Sequence, residues 1–207
     1  MRQHVSSWLA LGDSYTIGEG VPLHDSYPNQ TIQLLRKNDY SFHAAEIVAK
    51  TGWTSFELAE HLLHHQYNEK YDFVSLLIGV NNQYRGLTVD SYREDLIFLV
   101  KKAIQWTGGN PQRVVLLSIP DWGVTPFAAG RDKNQIASEI DSFNQTILKA
   151  AEHFCVSHID VTSSTRYSGT DLSFLAPDQL HPSGKEYYTW AYLLYEWFAK
   201  SLTASSV

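Results

Sequence analysis

Apolar and polar positions along this chain follow two alternating periods. Nearly continuous apolar runs at residues 7–11, 73–78 and 114–119 are each closed by turn-forming residues, the pattern of strands buried on both faces. Residues 42–49, interrupted by Glu46, and 155–161 are more mixed and read as edge strands. Between the runs, apolar residues recur every three or four positions. This spacing predicts helices over 28–37 (Ile32, Leu34, Leu35), 54–65 (Phe56, Ala59, Leu62, Leu63), after Ser91 (Tyr92, Leu96, Leu99, Val100, Ala103) and around 136–151 (Ile136, Ile140, Phe143, Ile147, Leu148, Ala151). A last helix is predicted from Ser183 to about Leu202. Thr54 with Glu57, Ser91 with Glu94 and Ser183 with Glu186 have the spacing of capping boxes. Gly108-Gly109-Asn110-Pro111 is a strong helix stop.

Strand and helix alternate throughout, which predicts an α/β protein with a parallel sheet. Five strands in the order 2-1-3-4-5 put the three apolar runs in the centre and the mixed ones at the edges, with right-handed crossovers. In that order the switch point, where the strand order reverses, falls between strands 1 and 3, and there open α/β sheets bind ligands. Ser14 follows the first strand and Asn81 the third. The 207 residues contain no repeat, low-complexity tract or linker and read as one domain.

Composition narrows the function. With 43% hydrophobic, 13% aromatic and 18% charged residues, this is a globular chain. A formal net charge of -6 argues against a nucleic-acid partner. No apolar stretch approaches the roughly 20 residues of a membrane span. The N-terminus leads into the first strand without a signal-peptide pattern, and Cys155 is a single cysteine; both point to the cytoplasm.

The chemistry lies at the two ends of the chain. Leu9-Ala10-Leu11-Gly12-Asp13-Ser14-Tyr15 runs from an apolar strand into a turn-prone triplet, with Gly12 placed to bend the backbone and Ser14 at the strand's carboxyl end. A serine hydroxyl needs a base within hydrogen-bond reach to act as a nucleophile, and that base needs a carboxylate to orient it. Asp178 and His181, three residues apart between Pro177 and Pro182, can meet across a tight turn. Acyl transfer also needs donors for the oxyanion. The Ser14 N–H, the Gly52 N–H and the Asn81 side-chain amide are candidates, although Gly52 and Asn81 also suit ordinary turns.

Together these blocks resemble the GDSL, or SGNH, hydrolase family. Gly12-Asp13-Ser14-Tyr15, Gly52, Gly79-Val80-Asn81-Asn82 and Asp178-Gln179-Leu180-His181-Pro182 match its motifs in family order over residues 8–190. Asn82 departs from the pattern, because Asp often follows the family's Asn. The resemblance implies a flavodoxin-like three-layer α/β/α sandwich and an ester hydrolase with no metal and no cofactor. It assigns Ser14 as nucleophile, His181 as base and then acid, and Asp178 as its orienting carboxylate. The Ser14, Gly52 and Asn81 donors form the oxyanion hole. An acyltransferase using the same site and a ligand-binding module on the same fold are the alternatives.

The expected partner is a small-molecule ester; the resemblance leaves open simple esters, lysophospholipids, acyl-thioesters and acetylated sugars, because fold and triad do not choose among them. Candidate pocket residues are Asp13, Tyr15, Trp53, Gln83, Tyr84, Trp122 and Phe127, and an open site with aromatic walls favours short acyl groups. His61, His64 and His65 have metal-binding spacing on one helix but read as a solvated helix end. A second aromatic stripe on the last helix (Trp190, Leu193, Trp197) suits either the core or a homodimer contact.

Overall fold

The computed structural model describes residues 4–204; residues 1–3, part of the N-terminus read above, lie outside it. Five parallel strands form one sheet in the order β2-β1-β3-β4-β5: β1 (Trp8–Asp13), β2 (Glu46–Lys50), β3 (Phe73–Leu77), β4 (Val114–Leu117) and β5 (Ser157–Ile159). The chain is a flavodoxin-like α/β/α sandwich. The helices are α1 (Ser14–Ile17), α2 (Tyr27–Lys37), α3 (Ser55–His64), α4 (Val80–Tyr84), α5 (Val89–Trp106), α6 (Lys133–Phe154), α7 (Thr162–Ser168) and α8 (Gly184–Ala204). Every residue of β1, β3 and β4 is buried, as expected of strands covered on both faces. α2 packs against α8, and α5 packs against both α3 and α6. No helix among the described residues is long and apolar enough to cross a membrane.

Beneath one helical layer lies an aromatic core. The Phe198 ring of α8 sits 5.0 Å from Trp8 and 4.8 Å from Phe73, both edge-on. The second stripe of α8 belongs to this layer. Trp190 is fully buried, and Trp197 packs on Phe73 and donates its Nε1–H to Ser157 Oγ. Within the stripe Trp190 is buried, while Leu193 and Trp197 are partly exposed.

Several local expectations are corrected. β2 starts at Glu46, and Phe42 makes only an isolated bridge with Ser6. Cys155 is not in a strand: it ends α6 in the left-handed conformation, and β5 begins two residues later. α5 is capped by Thr88, whose Oγ1 accepts from the Ser91 N–H, so Ser91 is inside the helix. The Ser183–Glu186 box does not form, because Glu186 turns inward to accept from Ser168 Oγ and Trp190 Nε1. The Thr54–Glu57 box is present. On α3 the buried stripe is Leu58, Ala59 and Leu62, while Phe56 and Leu63 are exposed.

Candidate active site

The carboxyl ends of β1 and β3 and the turn before α8 converge on one point. β1 runs to Asp13, and Ser14 opens α1. Asp13 caps that helix by accepting the Tyr15 N–H at 3.0 Å. Gly12 lies inside β1 and not in a bend beyond it. A β-carbon there would come within 2.5 Å of the Leu77 carbonyl oxygen, so glycine is needed for close approach and not for a left-handed turn.

The segment from Asp178 to His181 folds on itself. Asp178 Oδ1 accepts the backbone N–H groups of Leu180 and His181, both at 3.0 Å, and Gln179 adopts φ 57° to make the turn. Asp178 Oδ2 then meets His181 Nδ1 at 2.6 Å. A carboxylate can only accept, so Nδ1 carries the proton and Nε2 is left as an acceptor. That Nε2 takes the Ser14 hydroxyl at 2.9 Å, in buried surroundings. The Tyr15 ring, 5.0 Å from the imidazole, packs against it. Burial raises the Asp178 carboxyl, but the bonds from His181 and the two backbone N–H groups outweigh it and hold the group below its ordinary value.

Gly52 follows β2 with φ 81°, a conformation that favours glycine, and its N–H has no protein acceptor among the described residues. Arg85, at the end of α4, donates to the Gly52 carbonyl and pairs with Glu57. Asn81 uses one amide hydrogen to hold the Trp53 carbonyl at 3.0 Å, leaving the other for a ligand. Asn82 points away from the site. Its Oδ1 accepts the Ser55 N–H and its Nδ2 donates to Ser55 Oγ, which in turn donates to Asp95.

Ser14, His181, Gly52 and Asn81 all line one cleft of about 200 Å³. Tyr15, Tyr84, Trp122 and Phe127 also border it. The other three pocket candidates do not. Asp13 is buried beneath Ser14. Trp53 packs on His61 and reaches the site only through its carbonyl. Gln83 is buried behind the wall, where it accepts the Trp122 indole N–H at 2.7 Å. Thr51, Val80 and Leu180 line the cleft without having been singled out from the sequence. Leu180 could have been, because it lies inside the Asp178–His181 turn. The loop carrying Trp122 is anchored by Asp121, which accepts from the Gly123 N–H and from Arg166 Nε of α7. His61 and His65 stack at 3.7 Å, and no group of three or more His, Cys, Asp or Glu among the described residues is arranged to hold a metal.

A model of the GDSL-like lipase/acylhydrolase family matches residues 10–187. The chain belongs to this family. As a GDSL-like acylhydrolase it is an ester hydrolase. Solved structures share its fold at low identity. TesA is 18% identical at a TM-score of 0.75, over 94% of this chain and 99% of that one. The psychrotrophic esterase EstA from Pseudoalteromonas sp., inhibited by monoethylphosphonate, is 18% identical at 0.73, over 96% and 99%. The acetylxylan esterase Axe2 from Geobacillus stearothermophilus is 19% identical at 0.71, over 95% and 93%. No functionally curated protein is a significant sequence match.

Proposed function

We propose that this GDSL-like acylhydrolase hydrolyses esters of short acyl groups through an acyl-enzyme on Ser14. The observation that carries the reading is the continuous relay from Asp178 Oδ2 to His181 Nδ1 and from His181 Nε2 to Ser14 Oγ. His181 takes the Ser14 proton as Oγ attacks the ester carbonyl, and Asp178 holds the tautomer and the imidazolium that forms. The Ser14 and Gly52 N–H groups and the free Asn81 amide hydrogen receive the oxyanion. The tetrahedral intermediate then collapses as His181 returns the proton to the departing alkoxide. A water activated by the same imidazole next cleaves the acyl-Ser14 ester, restoring the hydroxyl and releasing the acid.

Acyl length follows from the size and exposure of the cleft. About 200 Å³ is below the roughly 300–1,000 Å³ typical of sites that enclose a drug-sized ligand. Tyr84 and Phe127 are 44% and 42% exposed, so the walls border solvent. A long chain would leave its distal methylenes in water and gain little of the roughly 0.8 kcal/mol each contributes when buried.

The test is organophosphonate labelling of one sample and, on separate unlabelled enzyme, a series of p-nitrophenyl esters from acetyl to palmitoyl, with and without acceptor alcohols. The reading expects one label on Ser14, the highest kcat/KM at acetyl to butyryl and a fall by octanoyl. Rates that climb out to palmitoyl would overturn the acyl-length assignment. Label on a residue other than Ser14 would overturn the nucleophile, and acyl transfer to alcohol outrunning hydrolysis would make the protein a transferase.

A further inference from the structure

The residue before the nucleophile carries a carboxyl that the proposed chemistry does not use. Asp13 is completely buried, and its two oxygens are unequal. Oδ1 accepts the Tyr15 N–H, while Oδ2 is buried with no hydrogen-bond partner among the described residues. An isolated buried carboxylate is among the costliest groups a fold can hold, and such groups take up a proton instead.

Its neighbours offer no compensating charge. The titratable groups that sense Asp13 are phenols: Tyr15 of α1, Tyr27 of α2, Tyr92 of α5 and Tyr187 of α8, each pushed upward mainly by its own burial and further by Asp13. All four are neutral in the working range. Lys50 stands opposite Asp13 on β2 but is exposed, and His181 and Asp178 lie beyond the Ser14 hydroxyl, engaged with each other. Burial pushes the Asp13 carboxyl up to about 7, against the lowering effect of the Tyr15 N–H.

We infer that Asp13 is a positioning residue that works as the neutral acid, with its Oδ1 holding the first turn of α1 and its Oδ2 carrying a proton. The inference rests on Ser14 being the nucleophile. An ionised Asp13, one residue from Ser14, would set a negative charge beside the oxyanion that forms there and oppose it. The protonated form keeps the helix cap without that charge. Activity is therefore gated from beneath the site, by a proton that never touches substrate.

Two measurements on the full chain test this. The first compares thermal unfolding of wild type and Asp13→Asn from pH 4.5 to 8. The folded wild type keeps a proton that its unfolded chain releases, so wild-type stability falls with rising pH through that window while the amide is indifferent. The Tm of the variant minus that of wild type should rise by several degrees across the range. A constant or shrinking difference would overturn the inference. Should the variant fail to fold, the carboxyl carbon of Asp13 in the wild type, followed by ¹³C NMR, should keep the shift of a protonated acid at pH 5.5; a carboxylate shift there has the same overturning force.

The second measurement is the ratio of kcat/KM at pH 9 to that at pH 6, together with the rate of Ser14 phosphonylation. The ratio should be lower in wild type than in Asp13→Asn, by several-fold, because only wild type gains the buried charge. Equal ratios, or a folded Asn variant whose Ser14 is unreactive at every pH, would refute a neutral working form. Phosphonate that labels a residue other than Ser14 refutes the nucleophile instead, and the unfolding and NMR data separate that failure from this one.

Discussion

Gln83 joins Trp122 to Glu139 behind the cleft wall: its Oε1 accepts the indole N–H and its Nε2 donates to the carboxylate, each at 2.7 Å. The side chain is buried and lies outside the Ser14 cleft, bordering instead the neighbouring cavity on the other side of Tyr84 and Trp122. Gln83→Leu leaves a buried indole N–H without an acceptor, at a cost of about 1–3 kcal/mol in stability. It also frees Trp122 to move. KM for a butyryl ester should rise several-fold with a smaller change in kcat, measured beside urea unfolding. An unchanged KM would show that the orientation of Trp122 does not matter to substrate.

Asn81 is fixed by the Trp53 carbonyl with one amide hydrogen still free. In the proposed oxyanion hole, its bond to the substrate carbonyl oxygen would strengthen only as negative charge develops there. Asn81→Ala should lower kcat by roughly 10²–10³ and leave KM nearly unchanged. Steady-state kinetics on the acetyl ester decide it; a loss confined to KM would make Asn81 a ground-state contact only.

Asn82, where the family often has Asp, makes a specific local bargain. Because its amide donates to Ser55 Oγ, the Ser55 hydroxyl is free to donate to Asp95 at 2.6 Å. An Asp at this position sets two carboxylates competing for one hydroxyl proton. Asn82→Asp should destabilise by about 1–3 kcal/mol at pH 7. The repulsion raises the pKa of the pair, so its penalty grows with rising pH and fades as pH falls. Asn82→Asp with Asp95→Asn should recover most of the loss in a double-mutant cycle; strict additivity would break the argument.

Asp178 is held below its ordinary value by donors from His181 and two backbone groups. Its contribution to stability is therefore fully present above the unfolded carboxyl pKa of about 3.9 and lost as pH falls through the lower folded value. Asp178→Asn should flatten that acid limb in urea unfolding between pH 6 and 3, modestly, because the side chain is 40% exposed. The same change should cost kcat up to about 10⁴-fold if the tautomer matters as in the serine-protease template.

How much of this was legible in the sequence depends on how local each cause is. β1, β3 and β4 announce themselves because a strand covered on both faces must be apolar throughout. The strand order follows from which runs are mixed. Asp178 and His181 were legible as a pair because three residues and a turn suffice to join them. α4 and α7 were not, since five and seven residues are too few to show a helical period. Thr88 and Ser91 both suit a cap, and the choice between them lies in the backbone at Thr88 and not in their chemistry. Glu186 sits where a capping box wants it, but Ser168 and Trp190 compete for it from the core. Gln83 was misplaced for a similar reason: its partner Trp122 is 39 residues away.

The chain also divides the proposed chemistry at a natural seam. Ser14, Gly52 and Asn81, the nucleophile and its oxyanion donors, all precede the turn at Gly108 and Gly109, where both glycines are left-handed and a β-carbon would meet nothing. Asp178 and His181, the proton-handling pair, follow it. The decisive contact, His181 with Ser14, spans 167 residues. A chain cut at this turn would give one fragment with an attacking group and no base, and another with a base and nothing to activate. Full hydrolysis would then require the two pieces to be brought back into one sheet, so that His181 again meets Ser14.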